Sequence, residues 1–169
     1  MKQQLLLFGI AVVVCSALAG YLFAQIQPVQ QQGPGAASAL VLACIDPRFT
    51  ASLAWYLTHH KEVINDYDLV ALAGASLGVL QTTYGSWQTT FVDHVKLALQ
   101  LHNIKEIWAF DHLDCGMYKA TLDLKEDKDS AIHIEKLQEL KAFIKQQFPE
   151  LGFKGFIIDV RGNIEKVVV

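Results

Sequence analysis

The chain has 169 residues, 52% of them hydrophobic, and carries a formal net charge of −3. That length accommodates one domain with an appendage rather than two full domains. No cluster of Lys and Arg interrupts the mild acidity, which argues against a nucleic-acid-binding surface.

Met1 and Lys2 precede an uncharged run over residues 3–27, most apolar over residues 5–14, and Ala17-Leu18-Ala19 has the small-x-small pattern of a cleavage site. This layout predicts a secretory signal over residues 1–24, with a second candidate cut after Ala24. Residues 5–24 are also about long enough to cross a bilayer, so a retained membrane anchor is the alternative. On either reading the protein is expected to be exported, periplasmic or otherwise extracytoplasmic, and to meet a membrane only through this segment. Cys15 follows the bulky Val14 and is assigned no chemistry. Residues 25–38 are rich in Gln, Pro and Gly, lack an apolar period and read as a tether. The folded domain is therefore expected over residues 39–169.

Within it, residues 40–44 (Leu-Val-Leu-Ala-Cys) form an all-apolar run, as expected of a strand covered on both faces. Pro47 ends regular structure there, and residues 50–60 read as a helix. Residues 68–72 are a second buried strand, leading into a flexible small-residue loop, Ala73-Gly74-Ala75-Ser76-Leu77-Gly78. Phe91, Val95, Ala98 and Leu99 give residues 87–101 helical spacing. A third strand follows at 106–110, then a charged, exposed loop at 123–129. The longest amphipathic helix spans 130–148, ended by Pro149. A fourth strand at 153–160 turns through Arg161-Gly162-Asn163 into a fifth, antiparallel edge strand at 164–169. Strands alternating with helices predict a three-layer α/β fold: four parallel strands plus an antiparallel edge strand, with flanking helices.

Ligands of such sheets bind outside the carboxyl ends of the strands. Cys44 ends the first strand, the glycine loop ends the second, and His112 and Cys115 follow the third. Cysteine and histidine are both zinc ligands, and two thiolates with one imidazole leave a tetrahedral ion one open position. Cys44, His112 and Cys115 are accordingly the candidate ligands of one Zn2+. Asp46 is close enough to orient a water at the open position or to close it, and Arg48 is placed to hold Asp46 by a charge-assisted bond. A Cys44–Cys115 disulfide is the structural alternative, open to an exported protein. Gly74 and Ala75 in the small turn, with Gly116 beside Cys115, are expected to contact substrate or to support the ligands from behind. His59-His60 reads as a solvated helix end, and His94, His102 and His133 as mostly surface residues. Asp111 and Asp114 flank His112; either one supports a ligand or both face solvent.

These residues resemble the β-class carbonic anhydrases. Cys44-Ile45-Asp46-Pro47-Arg48 is similar to that family's Cys-x-Asp-x-Arg motif, and His112-Leu113-Asp114-Cys115-Gly116 to its His-x-x-Cys-Gly motif. The resemblance runs from about residue 40 to the end, including the 155–160 strand and closing hairpin. It implies zinc on Cys44, His112 and Cys115, an Asp46–Arg48 gating dyad, and a homodimer or higher homo-oligomer. The implied reaction is reversible hydration of carbon dioxide to bicarbonate by zinc-bound hydroxide. Alternatives are hydrolysis of carbonyl sulfide or carbon disulfide, and a non-catalytic zinc-binding or disulfide-stabilised relative. Three departures stand out: Ala71-Leu72-Ala73-Gly74 replaces the usual Arg-Asn-Ala-Gly, Pro47 takes a common serine position, and signal and tether replace an N-terminal helical arm.

Overall fold

The computed structural model describes residues 35–59, 66–126 and 130–169. The expected signal and most of the expected tether lie outside the described residues. Among those described, no helix is long and apolar enough to cross a membrane. The chain divides into two compact units, residues 1–32 and residues 33–169, and the second contains all that follows.

Five strands form one sheet: β1 (Ala39–Ala43), β2 (Tyr67–Ala71), β3 (Glu106–His112), β4 (Gly152–Ile158) and β5 (Ile164–Val167). Their order is β2-β1-β3-β4-β5, parallel except for the antiparallel β4–β5 pair. The expected mostly parallel sheet with an antiparallel edge is therefore the observed one. The helices are α1 (Thr50–His59), α2 (Ala75–Leu80), α3 (Ser86–His102), α4 (Gly116–Leu122) and α5 (Ser130–Gln147).

Every residue of β1 is buried, because both faces of the sheet are covered. Leu40 and Leu42 point to one face, where they join Phe91 and Val95 of α3 and Leu137, Leu140 and Ile144 of α5. Val41 and Ala43 point to the other, with Trp108, Phe110 and Phe156 of the sheet and Phe49 and Leu57 from the α1 side. On that second face Phe110 and Phe156, paired across β3 and β4, stack at 4.3 Å and 7°. Offset ring stacking adds roughly 0.5–1.5 kcal/mol to the area buried. The α1 side of the sheet is thus backed by an aromatic layer.

Four local expectations are corrected. β2, expected to be a buried strand, is a part-exposed one with Leu69 and Ala71 exposed, because it stands at the edge of the sheet with β1 alone beside it. Residues 75–80 form α2 instead of a flexible loop: Ala75 to Val79 are all buried, and packing overrides the weak local signal of a Gly-interrupted sequence. Pro47 opens a 3-10 turn, Pro47–Phe49, that runs into α1, since proline is well suited to a first helical position. His133 is fully buried on α5, where it packs against Tyr118 with ring centroids 4.0 Å apart.

Candidate metal centre

Register brings the two motifs together. In the parallel β1–β3 pair Ala43 lies opposite Phe110, so Cys44 emerges beside the last residues of β3, which end in His112. In the β1–β2 pair Ala43 lies opposite Ala71, and Leu72 N–H donates to the Ala43 carbonyl. The chain after β2 therefore passes over Cys44. Cys115 caps α4 three residues beyond His112. The Cys44 and Cys115 sulfurs and a His112 ring nitrogen all lie within 4.8 Å of one another. Both cysteines are free thiols.

The donor atoms are prepared for an ion. His112 Nδ1 stands 2.9 Å from the Leu113 carbonyl, which can only accept, so the proton sits on Nδ1. That leaves the Nε2 lone pair, and this buried atom has no hydrogen-bond partner. An orphaned buried nitrogen is costly unless something else takes its lone pair. The Cys44 thiol is pulled well below its ordinary pKa, first by a hydrogen bond with Cys115, with burial opposing and His112 and the Gly74 and Asp46 backbone assisting. Cys115 is pushed up by the same contact and by burial, against the backbone N–H groups of Tyr118 and Met117. Two adjacent sulfurs thus share a proton that a cation can replace. The set fits a thiophilic divalent ion.

Asp46 and Arg48 flank the triad. Asp46 accepts from the Arg48 backbone N–H at 3.0 Å, and its Oδ2 lies 3.8 Å from His112 Nε2. Arg48 also reaches the other motif, with Nη1 2.8 Å from Asp114 Oδ2 and Nη2 3.0 Å from the Asp114 carbonyl. Asp114 in turn binds Lys119 Nζ at 2.8 Å. Arg48 first of all, through its hydrogen bonds, holds the Asp46 carboxyl below the usual range.

Gly74 stands where its backbone N–H donates to the Cys44 sulfur at 3.3 Å. Its φ is +75°, and a Cβ there would fall 2.7 Å from Met117 Cγ, so only glycine fits without strain. Ala75 is fully buried at the start of α2. Gly116 is exposed, and nothing observed gives it a part.

Beside the triad opens an apolar cavity of about 220 Å³, walled by Ile45, Phe49, Leu53, Leu69, Phe110 and Ile158, with Cys44 and His112 on its border. A larger groove, about 670 Å³, lies between α1 and the β4–β5 turn, away from the triad. Apart from Ile45, the cavity residues carry no mark in the sequence, because they are apolar residues scattered from Phe49 to Ile158. Asp111 is buried and bonded, whereas Asp114 is ion-paired near the surface. Of the other histidines, His59 and His94 each approach a carbonyl on their own helix, and His102 pairs with Asp68 at 2.8 Å. His60 lies outside the described residues.

Solved structures share this architecture. A β-carbonic anhydrase of Trichomonas vaginalis superposes with a TM-score of 0.57 at 14% identity, covering 94% of this chain and 97% of that one. A carbonic anhydrase from Glaciozyma antarctica gives 0.56 at 20% identity, covering 90% and 95%. At such identities the likeness is one of fold. A family model described as "Putative carbonic anhydrase" matches residues 35–168. The chain belongs to that carbonic anhydrase family. Relatives of this carbonic anhydrase-like chain include uncharacterized proteins of Rickettsia bellii, 33% identical over 135 residues (78% of this chain, 82% of that protein), and of Rickettsia conorii, 31% identical over 135 residues (78% and 72%).

Proposed function

We propose that the protein binds one zinc ion through Cys44, His112 and Cys115 and catalyses reversible hydration of carbon dioxide. The observation that carries this reading is the convergence of three ligand atoms within 4.8 Å, with two of the three residues, Cys44 and His112, on the border of an apolar cavity. Zinc held by two thiolates and an imidazole supplies a Lewis acid that makes water a nucleophile near neutral pH.

The chain's own residues supply the rest. Arg48 occupies both oxygens of Asp46, which keeps the carboxylate from swinging onto the ligand cluster. An Asp46 so held accepts a hydrogen bond from the reacting water and fixes its orientation. The apolar walls suit a small uncharged substrate such as carbon dioxide. Bicarbonate, being charged, is poorly held there and leaves, with a proton passing to solvent.

β2 is an edge strand with Leu69 exposed, and Leu69 also borders the cavity, which supports self-association through this edge. Export is proposed from the leader pattern of residues 1–24 alone.

The test is metal analysis joined to a carbon dioxide hydration assay on the purified protein. One zinc per chain and hydration well above buffer are expected, and Cys115→Ser should lose both. Stoichiometric zinc without hydration would refute the activity and leave the metal site standing. Running carbonyl sulfide and carbon disulfide in the same assay decides between hydration and hydrolysis.

A further inference from the structure

Behind the triad lies a group of buried polar side chains that the proposed reaction does not use. Asp111 and Tyr118 are 1% exposed, and Ser76 and His133 are fully enclosed. Asp111 Oδ1 accepts from the Ser76 backbone N–H at 3.0 Å. Asp111 Oδ2 accepts from Ser76 Oγ at 2.5 Å and from the Tyr118 hydroxyl at 2.6 Å. The two hydroxyls are 2.9 Å apart, and His133 Nδ1 lies 3.5 Å from Asp111 Oδ2. Residues from α2, α4 and α5 thus meet on one carboxylate of β3.

Each arrives next to something that serves the triad. Asp111 directly precedes His112. Ser76 is two residues past Gly74, whose N–H donates to the Cys44 sulfur at 3.3 Å. Tyr118 stands in the first turn of α4, the helix that Cys115 opens. A hydrophobic residue at 111 would fill the same space, but it could not fix the directions of these donors. Burying a carboxylate is costly, and replacing buried ionic groups by apolar ones is often neutral or stabilising. Packing alone therefore gives no reason for an acid at this place.

We infer that Asp111 is a positioning residue for the metal centre, holding the turn whose Gly74 N–H donates to the Cys44 sulfur, the first turn of α4 that follows Cys115, and the backbone of His112, and so setting how tightly the ion is held. The inference rests on the metal reading of the triad. Outer partners of metal ligands typically change affinity by roughly 10–100-fold when removed.

The test compares the full-length zinc-loaded wild type with Asp111→Asn, Tyr118→Phe and Leu140→Ala. The last truncates a buried core side chain on α5 and serves as a control for general destabilisation. Zinc affinity is read by competition with a chromophoric chelator, and ligand geometry by the thiolate-to-metal absorption of the cobalt(II)-exchanged proteins. Asp111→Asn should weaken zinc binding by roughly 10–100-fold and shift the cobalt bands. Tyr118→Phe should move both in the same direction by less, and Leu140→Ala should lower Tm with affinity and spectrum unchanged. Should Asp111→Asn fail to fold, Tyr118→Phe, which removes a single oxygen, decides the matter. Affinities of the Asp111 and Tyr118 variants within about twofold of wild type, well inside the range such partners control, would overturn the inference, as would equal weakening by Leu140→Ala. A wild type that takes up no zinc overturns the metal reading and this inference together; a zinc-binding wild type with an indifferent Asp111→Asn overturns the inference alone.

Discussion

Arg48 lies along the Asp46 carboxylate, with Nη2 2.7 Å from Oδ2 and Nε 3.0 Å from Oδ1. This fork is a geometry that lysine cannot reproduce. The same guanidinium is tied to Asp114, so the two sequence motifs are joined by one side chain as well as by the ligand cluster. Arg48→Lys is expected to retain zinc but lose activity by about 10–100-fold, the usual cost of disturbing an outer partner of a metal site. Arg48→Ala frees Asp46, 3.8 Å from His112 Nε2, to turn toward the ion. Activity should then fall further while zinc is retained. Steady-state kinetics with zinc content measured on the same samples checks both outcomes.

The acid limb of stability should carry the signature of this bridge. Arg48 above all holds the Asp46 carboxyl low, and Asp114 is lowered to about 2 by Lys119 first and then Arg48. A carboxyl depressed in the folded state stabilises it above its unfolded pKa of about 3.9, and that contribution fades as pH falls through the folded value. The metal-free protein should thus be more heat-stable than Arg48→Ala above about pH 4, with the difference closing on acidification below that value. Tm followed by circular dichroism in the presence of chelator tests this, since metal release no longer contributes. A gap independent of pH would mean that Arg48 stabilises through packing instead.

Gly74→Ala confronts two obstacles, the φ of +75° and the side chain of Met117. The strained backbone should cost about 1–3 kcal/mol. Displacing the N–H that bonds the Cys44 sulfur should also weaken zinc binding. Urea denaturation gives the first number and chelator competition the second. A Gly74→Ala variant as stable and as zinc-avid as wild type would show that the turn relaxes freely.

Phe156 tests the sheet independently of the metal. It is 1% exposed, stacks on Phe110 and lies 5.2 Å from the Trp108 ring. Phe156→Ala should lower the unfolding free energy by about 3–5 kcal/mol, the usual range for emptying a buried aromatic site. Zinc stoichiometry should survive in whatever fraction remains folded, because Phe156 is not on the cavity wall.

The parts of this architecture that could be read in the sequence are those with a local physical signature. β1 declares itself because five consecutive residues are apolar and every one is buried. Cys44 and the His112–Cys115 pair are conspicuous because soft ligands follow apolar runs directly. α2 could not be read, since its helicity depends on being enclosed and two glycines bracket the segment that begins it. His133 misleads for a different reason. It falls in line with Leu137, Leu140 and Ile144 on the buried side of α5, so the periodicity is present, but its polarity suggests the surface. Asp111 needs Ser76 and Tyr118 to explain it, and only tertiary structure brings those three together.

The register of β1 against β3 has a consequence for the order of assembly. Residues 45–111 separate Cys44 from His112, and the two meet only because Ala43 pairs with Phe110 in a parallel ladder. A parallel pair requires its whole crossover to be in place, and such long-range closures come late and slowly. On the proposed zinc reading, His112 and Cys115 of an unfolded chain would offer a two-pronged chelate that lacks its third member. The ion would then not template the early stages of folding. Its tight capture would mark the moment at which the central strands have closed, and the rate of metal uptake during refolding would be a clock for the completion of the sheet.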